Sequence, residues 1–368
     1  MNFWKDLPKP FIGLSPMDGV SDAAFRFINA KYGKPDVITT EFISVDGVLH
    51  AAQTLFKDFW YSDIERPIVA QIFGIEPELF YLSAQIIAEL GFDGVDINMG
   101  CPAKTVSRRG AGAGLIQNPD LAKQIIAATQ QGVKDWYEKG IDQRLSEKLL
   151  KQIELTKKEI RIATNTSQRK LLPVSVKTRI GYESVDVESW IPQVLSMNVQ
   201  NLTVHGRTLK QMYQGEANWA ALKQVGEIVL EHNKYTKDND GTTFVANGDV
   251  NGPEIALERL NQTHADGLYI GRGTYGDPWI FDRIRHYLST RELIDDVDIK
   301  TKARIALEHA KLHYDLNGPI AFVQMRKHLA WYIRGFPDAS DIRVALMKTN
   351  SPSEVKEILE QEGLFPNS

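Results

Sequence analysis

The chain has a single cysteine, Cys101, among 368 residues. One thiol excludes a disulfide within the chain and is too few for a zinc site built on cysteine. No apolar run approaches the roughly 18 residues that a membrane-spanning helix needs, and the first residues lack the basic and apolar segments of a signal peptide. These absences predict a cytoplasmic protein with no membrane contact. Its cysteine is either a small buried apolar side chain or a reactive group.

The chain also lacks an excess of positive charge. Lys and Arg number 43 against 47 Asp and Glu, which gives a formal net charge of −4. An affinity for nucleic acid would therefore have to come from a local basic patch. The 8 histidines show no His-x-His spacing and no cluster with carboxylates. We therefore expect no metal, and a metal-dependent hydrolase is disfavoured.

Short apolar segments alternate with amphipathic stretches typical of helices. Several are almost continuously hydrophobic, as expected for strands of a parallel sheet that is buried on both faces. Eight β/α units within about 280 residues fit a (β/α)8 TIM barrel, which typically has about 250 residues, better than an open sheet. The sequence predicts an α/β barrel domain over residues 1–290. Its predicted strands are 11–14, 37–40, 68–72, 94–97, 174–177, 202–205, 244–247 and 267–270.

Two regions depart from this recurrence. Residues 133–170 are too many for one connection, and their spacing of apolar residues predicts a solvated amphipathic helix inserted on the barrel. Residues 232–242 are polar and predict a loop. After residue 280 no strand pattern returns, which predicts a small all-helical domain over 295–368. Its predicted helices are 300–314, 321–332, 342–347 and 353–361.

Polar residues and glycines follow the predicted strands, and in a parallel α/β fold these strand ends gather where ligands bind. Glycines after the seventh and eighth strands let backbone N–H groups approach a phosphate. A lysine and a histidine at neighbouring strand ends can stabilise an anionic reduced flavin. The fourth strand ends in Asn98, Gly100, Cys101 and Pro102, so it must turn there and present Asn98 and Cys101 at the same edge.

Motifs in the same order resemble the tRNA-dihydrouridine synthases of bacterial type. The strongest is DINMGCPAKTV over 96–106, followed by GAGAGL over 110–115. Further matches are PMDGVSD over 16–22, VKTRIG over 176–181, VHGRT over 204–208, ANGD over 246–249, IGRG over 270–273 and RKHLAWY over 326–332. The chain departs from the usual pattern at Asp18 and Ser21, where Ala and Thr are commoner, at 274–277, and in the insertion.

The resemblance implies a barrel that binds FMN and reduces the C5=C6 bond of a uridine in the D-loop of tRNA, with NADPH as the reductant. It implies that Cys101 is the proton donor. The implied cofactor-binding residues are Pro16, Met17, Gln71, Lys177, His205, Asn247, Gly248, Asp249, Gly271 and Arg272. The implied substrate-binding residues are Asn98, Arg179, Arg326, Lys327 and His328.

The helical domain is the predicted contact with tRNA, because positive charge is in local excess there. The cations are Lys300, Lys302, Arg304, Lys311, Arg326, Lys327, Arg334 and Arg343. His328, Trp331 and Tyr332 are either stacking surfaces for bases or core residues. The insertion is also basic, and it is either a further RNA contact or a solvated helix. Its cations are Lys148, Lys151, Lys157, Lys158, Arg161, Arg169 and Lys170.

Two other functions fit parts of this pattern. A small-molecule flavin dehydrogenase of the dihydroorotate type would share the cofactor site and a cysteine acid, but it would not need the basic helical domain. A non-catalytic RNA-binding module would not need Asn98, Cys101, Lys177 and His205. The flavin content of the purified protein would separate these possibilities. The sequence gives no sign of an obligate protein partner.

Overall fold

Eight parallel strands form a closed barrel in the order in which they occur in the chain. The structure, a computed structural model, describes residues 2–50, 56–160, 169–236, 241–336 and 338–365. The barrel closes between the first and last strands, with Phe11 opposite Gly267 and Leu14 opposite Ile270. The predicted TIM barrel is confirmed. The strands are β1 (Phe11–Leu14), β2 (Ile38–Ser44), β3 (Ile68–Phe73), β4 (Gly94–Met99), β5 (Val174–Arg179), β6 (Asn201–His205), β7 (Thr243–Asn247) and β8 (Gly267–Ile270).

Helices cover the outside of the barrel, and polar side chains fix where several of them begin. Asp22, Asn118 and Asn218 each accept a hydrogen bond from a backbone N–H of the first helical turn, which satisfies a donor that the helix itself leaves unpaired. These helices are α1 (Phe3–Asp6), α2 (Ala23–Gly33), α3 (Val45–His50), α4 (Pro77–Glu89), α5 (Lys104–Ser107), α6 (Pro119–Lys139), α7 (Glu147–Glu159), α8 (Val187–Leu195), α9 (Trp219–Tyr235), α10 (Pro253–Thr263) and α11 (Ile280–Thr290).

The insertion is organised differently from its prediction. Its first residues, to Lys139, continue helix α6, and a separate helix, α7, follows. Lys157 of α7 pairs with Glu89, 2.6 Å away at the end of α4 that leads into β4. Helix α7 therefore lies at the amino-terminal end of the barrel, which favours the solvated helix over a further RNA contact. Residues 161–168 of the predicted insertion, with Arg161, lie outside the described residues.

The predicted loop over 232–242 is also partly wrong, because α9 remains helical to Tyr235. The last residues of a helix are hard to place from sequence, since the polar residues that end a helix resemble those of a loop. Residues 237–240 of this prediction lie outside the described residues.

Helices alone follow α11 in the described part of the chain. They are α12 (Ile299–Asn317), α13 (Met325–Tyr332), α14 (Ala339–Leu346) and α15 (Pro352–Gln361). The segment Pro319–Gln324 is a 3-10 helix, so the predicted helix over 321–332 begins later, at Met325. These helices have their own apolar core, which Ile28 of α2 joins. The Lys31–Glu308 pair at 2.6 Å further ties them to the barrel.

The interior of the barrel is apolar at its amino-terminal end. Trp4 of α1 packs there with Phe11, Val69, Val245 and Tyr269, and all five side chains are buried. The Tyr269 hydroxyl lies 2.8 Å from the Thr39 hydroxyl, which satisfies its buried polar atom. Within the described residues, this packing closes the barrel interior at its amino-terminal end.

Candidate active site

A cavity of about 340 Å³ opens at the carboxyl ends of the strands. Its volume is in the range of small-molecule and cofactor sites. The structure brings together here all the predicted cofactor-binding residues, together with Asn98, Cys101 and Arg179. The predicted residues that line it are Pro16, Met17, Gln71, Asn98, Cys101, Lys177, Arg179, His205, Asn247, Gly248, Asp249, Gly271 and Arg272.

Buried amides and a carboxyl group connect β3, β4 and β5 at the floor of the cavity. The Gln71 amide N–H donates to Asp96 at 2.7 Å, and the Asn98 amide N–H donates to the Gln71 oxygen at 2.8 Å. The Ser175 hydroxyl donates to the other oxygen of Asp96 at 2.6 Å. Burial raises the pKa of Asp96 to about 6, although the hydrogen bonds from Ser175 and Gln71 oppose the rise. This network fixes the amides of Gln71 and Asn98 before any ligand binds.

Asn98 also builds the turn that presents Cys101. Its side-chain oxygen accepts hydrogen bonds from the backbone N–H of Gly100 at 3.0 Å and of Cys101 at 2.8 Å. Such a side-chain turn replaces the ladder bonds that the strand loses as it ends. Asn98 therefore determines the position of the cysteine in addition to facing the cavity.

The Cys101 side chain borders the cavity and is only 7% exposed. It packs with Val106 and Ala111, and Phe42 and Phe73 cover this cluster. Burial raises the pKa of the thiol above its ordinary value. A thiol with a raised pKa stays protonated at neutral pH, which suits it to donate a proton better than to act as a nucleophile.

Lys177 and His205 face the cavity from neighbouring strands. Burial, aided by the charge of Arg179, lowers the pKa of Lys177 to about 8. Burial and the nearby Arg179 and Lys177 lower the pKa of His205 well below its ordinary value, so the imidazole is neutral at pH 7. Among the described residues, the Lys177 ammonium has no hydrogen-bond partner. An unpaired cation in this position is suited to an anionic ligand.

Two arginines and one carboxylate occupy the wall formed by the ends of β6, β7 and β8. Asp249 lies 2.6 Å from Arg207 and 2.6 Å from Arg272. Burial works against the charge of Asp249, but the hydrogen bonds from Arg207 hold its pKa below the ordinary value. Arg207 was not among the predicted site residues. The predicted barrel makes β6 and β7 neighbours, but it does not show that the Arg207 side chain turns towards Asp249 after β7.

Arg179, a predicted substrate-binding residue, also has a structural role. The side chain lines the cavity but is 2% exposed. It donates to the backbone oxygens of Gly100 at 2.6 Å, Thr208 at 3.0 Å and Met212 at 3.1 Å. Arg179 thus ties the turn that carries Cys101 to the loop after β6.

The predicted substrate residues of the helical region lie outside the cavity. Arg326 donates to the backbone oxygen of Thr349 at 2.9 Å and to the side chain of Asn350 at 2.7 Å. Lys327 reaches the barrel and donates to the backbone oxygen of Gly19, which lies beside the cavity-lining Asp18.

His328 and Tyr332 are each 3% exposed, within the core of the helical region. The His328 ring packs against Phe25, with ring centroids 5.3 Å apart. The prediction that His328 contacts RNA directly is therefore wrong, and both side chains are core residues. The sequence motif does not show which side chains of the helix face inwards.

Several residues at the mouth of the cavity escaped the sequence prediction. Met212 and Tyr213 of the loop after β6 and Tyr275 after β8 line the cavity. Tyr213 is 59% exposed. The segment that follows Cys101, which contains the short helix α5, carries Lys104, Arg108 and Arg109, and all three are exposed. The basic character of that segment is visible in the sequence and could have marked it as a contact for an anion.

Neither a metal site nor a membrane span is evident in the part of the chain that the structure describes. Within these residues, no group of three or more His, Cys, Asp or Glu side chains is placed to hold a metal ion. Over the same residues, no helix has the length and apolar character to cross a membrane.

Comparison with known proteins gives consistent matches over nearly the whole chain. The model of the family described as "Dihydrouridine synthase (Dus)" matches residues 13–142 and 147–365. A "Probable tRNA-dihydrouridine synthase" of Staphylococcus epidermidis is 31% identical over 366 residues, which cover 98% of this chain and 95% of that protein. A "Probable tRNA-dihydrouridine synthase 2" of Bacillus subtilis is 31% identical over 364 residues, which cover 98% and 96%.

Among solved structures, the chain is similar to histamine dehydrogenase from Rhizobium sp. 4-9. The TM-score is 0.47 at 11% sequence identity, and the match covers 75% of this chain and 45% of that one.

Proposed function

Since the chain belongs to the dihydrouridine synthase family and is an oxidoreductase, we propose that it binds FMN and reduces the C5=C6 bond of a uridine in the D-loop of tRNA, with NADPH as the reductant and Cys101 as the proton donor. The observation that carries this proposal is one cavity in which a protonated, buried thiol lies with an unpaired lysine and a neutral histidine.

The residues around the cavity fit a flavin. A flavin ring carries hydrogen-bonding groups along one edge, and Gln71, Lys177 and His205 offer donors on adjacent parts of the wall. Lys177 would meet the edge on which negative charge resides after reduction, which would satisfy its unpaired ammonium. Bound there, the flavin would supply the hydride for the uracil ring.

The wall at β7 and β8 fits the phosphate of the cofactor. Gly248 packs so closely that a Cβ would lie 2.7 Å from the Trp219 ring, and Gly271 faces Met17 across the cavity edge. Backbone N–H groups at these glycines can approach a phosphate without obstruction by a side chain. Arg272, which is half exposed, can share its charge between Asp249 and that phosphate.

Cys101 would supply the proton that completes the reduction. Addition of hydride to the uracil ring leaves negative charge at C5 and on the O4 side, and C5 must then be protonated. The burial that raises the pKa of the Cys101 thiol keeps the proton on Sγ until the base is in place. Asn98 and Arg179 would hold the turn that carries this proton.

The tRNA would contact the rim of the cavity and the helical region. A uridine must leave its stack to reach the cavity, at a cost of a few kcal/mol. The exposed Lys104, Arg108 and Arg109 have no ion-pair partner within the described ranges and lie on the segment after Cys101 that contains α5. Phosphate contacts there would hold the strand beside the thiol.

The test combines the absorbance of the purified protein with mapping of dihydrouridine. We expect a yellow protein that forms dihydrouridine at one position in tRNA from cells lacking the gene, when NADPH is supplied. Parallel assays with NADH identify the preferred reductant. A yellow protein that leaves tRNA unchanged would support the small-molecule dehydrogenase, and a colourless protein would support the non-catalytic RNA-binding module.

A further inference from the structure

Tyr275 and Trp331 form a stacked aromatic pair at the edge of the cavity. Tyr275 follows the short turn Arg272–Thr274 after β8, and Trp331 belongs to α13 of the helical region. Their ring centroids lie 3.8 Å apart, and the ring planes differ by 7°. The pair therefore joins the barrel to the helical region through two nearly parallel rings.

The surroundings of the pair hold both rings in place. Gly276 has a φ of +70°, and a Cβ at this position would lie 2.1 Å from the Trp331 carbonyl oxygen. The Thr274 hydroxyl donates to the Gly271 oxygen at 2.7 Å, which fixes the turn before Tyr275. The His328 ring meets Trp331 edge-on at 4.8 Å. Only a residue without a side chain fits at position 276, so the close approach is a specific feature of this turn.

Tyr275 also borders the cavity. Trp331 covers one face of the ring, and Trp331 itself does not line the cavity, whereas Tyr275, Tyr213 and Arg272 do. A rigid ring that is covered on one face and lines a cavity can offer its remaining surface for stacking to another planar ring.

The Tyr275 surface does not suit the reacting uracil itself. In the proposed function the uracil lies beside Cys101, at the end of β4. Tyr275 follows β8, on the opposite side of the eight-stranded barrel. The surface instead lies where the barrel meets the helical region, next to Lys327 on its helix. An RNA strand that contacts both regions passes this point.

We propose that Tyr275, supported by Trp331, stacks against the nucleobase that adjoins the target uridine in tRNA. This inference rests on the proposed function. When the uridine leaves its stack, the neighbouring base loses a partner, and the Tyr275 ring would replace it. The interaction would favour the unstacked strand and so would contribute to the choice of the uridine that is reduced.

The test uses tRNA in which the base on the 5′ or the 3′ side of the mapped uridine is removed, leaving an abasic nucleotide. With the flavin-containing wild-type enzyme, we expect one of these two substrates to lose about 5- to 150-fold in kcat/KM, the range of one base–aromatic stack. Tyr275→Ala should lower kcat/KM on intact tRNA by a similar factor. Removal of the base from the substrate should then lower the kcat/KM of this variant little further. Tyr275→Phe keeps the ring and should behave as the wild type. Tyr235→Ala, at a tyrosine that is 79% exposed and distant from the cavity, is the matched control.

Tyr275→Leu, which keeps an apolar contact with Trp331 but has no aromatic face, repeats the test if the alanine variant loses its flavin. If the alanine and leucine variants lower kcat/KM by the same factor on intact and on abasic tRNA, the proposal is overturned. So would a Tyr275→Ala enzyme whose main defect is a raised KM for NADPH, since the ring would then serve the nicotinamide. A wild-type enzyme that forms no dihydrouridine would contradict the proposed function itself, which is a separate result.

Discussion

The two ends of the barrel are built from the same eight strands but have opposite interiors. The amino-terminal end is closed by Trp4, Phe11 and Tyr269, which are almost completely buried. The carboxyl end gathers Lys177, Arg179 and other cations around one cavity. Apolar burial of the first kind stabilises a fold, whereas buried charge of the second kind destabilises it. The apolar burial at the closed end therefore offsets the free-energy cost of the charges buried at the open end.

The pKa shifts of the buried cations have the direction that this cost requires. Burial lowers the pKa of Lys177 to about 8 and that of Arg179 to about 10, and it lowers the pKa of His205 as well. Each shift disfavours the charged form, and the cations also repel one another. An anionic cofactor would reverse these shifts, so its binding free energy would add directly to the stability of the folded protein.

The largest expected effect is on chemistry at the open end. Cys101→Ala should lower the rate of uridine reduction by about 10²- to 10⁴-fold, because no proton donor remains for C5. Bound flavin and its reduction by NADPH should persist, since alanine fits the volume left by the thiol. Single-turnover measurements with the pre-reduced enzyme and tRNA isolate this step. Full uridine reduction by the variant would exclude Cys101 as the acid.

At the closed end, the expected effect is on stability alone. Trp4→Ala should lower the free energy of unfolding by about 3–5 kcal/mol, the usual cost of removing a large buried aromatic side chain. Uridine reduction per bound flavin should stay unchanged at temperatures where the variant is folded. Denaturant unfolding, with Trp4→Phe as a milder control, measures the first quantity. A selective loss of catalysis would show that the two ends are coupled.

Replacing Lys177 should stabilise the folded protein, whereas replacing Trp4 should destabilise it. At pH 7 the flavin-free Lys177→Met protein should be more stable than the wild type by about 2–3 kcal/mol, because the buried charge is gone. Since the folded-state pKa of about 8 lies below the unfolded-state value, the wild type should gain stability as the pH rises from about 8 to about 10.4, and the variant should lack this gain.

The same Lys177→Met variant should bind FMN more weakly. Unfolding at several pH values, together with flavin titration, measures both effects. A variant that retains stoichiometric FMN and normal flavin reduction would contradict the role proposed for Lys177.

The sequence predicts the strands and most of the cavity for a physical reason. A strand buried on both faces is a short apolar run, and the residues after it share one end of the barrel, so Lys177 and His205 could be brought together without coordinates. The Arg207–Asp249 pair and the Tyr275–Trp331 stack depend on which loops meet in three dimensions. His328 shows the converse limit, because a polar motif on a helix can face the core.

The smallest expected effect is on KM for tRNA, and it compares an exposed lysine at the open end of the barrel with one at the closed end. Lys104→Glu, in the short helix α5 after Cys101, should raise KM for tRNA by about 3- to 10-fold and lower the salt dependence of binding by about one phosphate contact. Lys158→Glu, on the exposed surface of α7 at the closed end, makes the same change in net charge and should leave KM nearly unchanged. Steady-state assays at several salt concentrations measure the contrast. Equal effects would mean that tRNA senses only the net charge of the protein, whereas an effect confined to Lys104→Glu would locate the RNA at the open end and leave the insertion outside the interface.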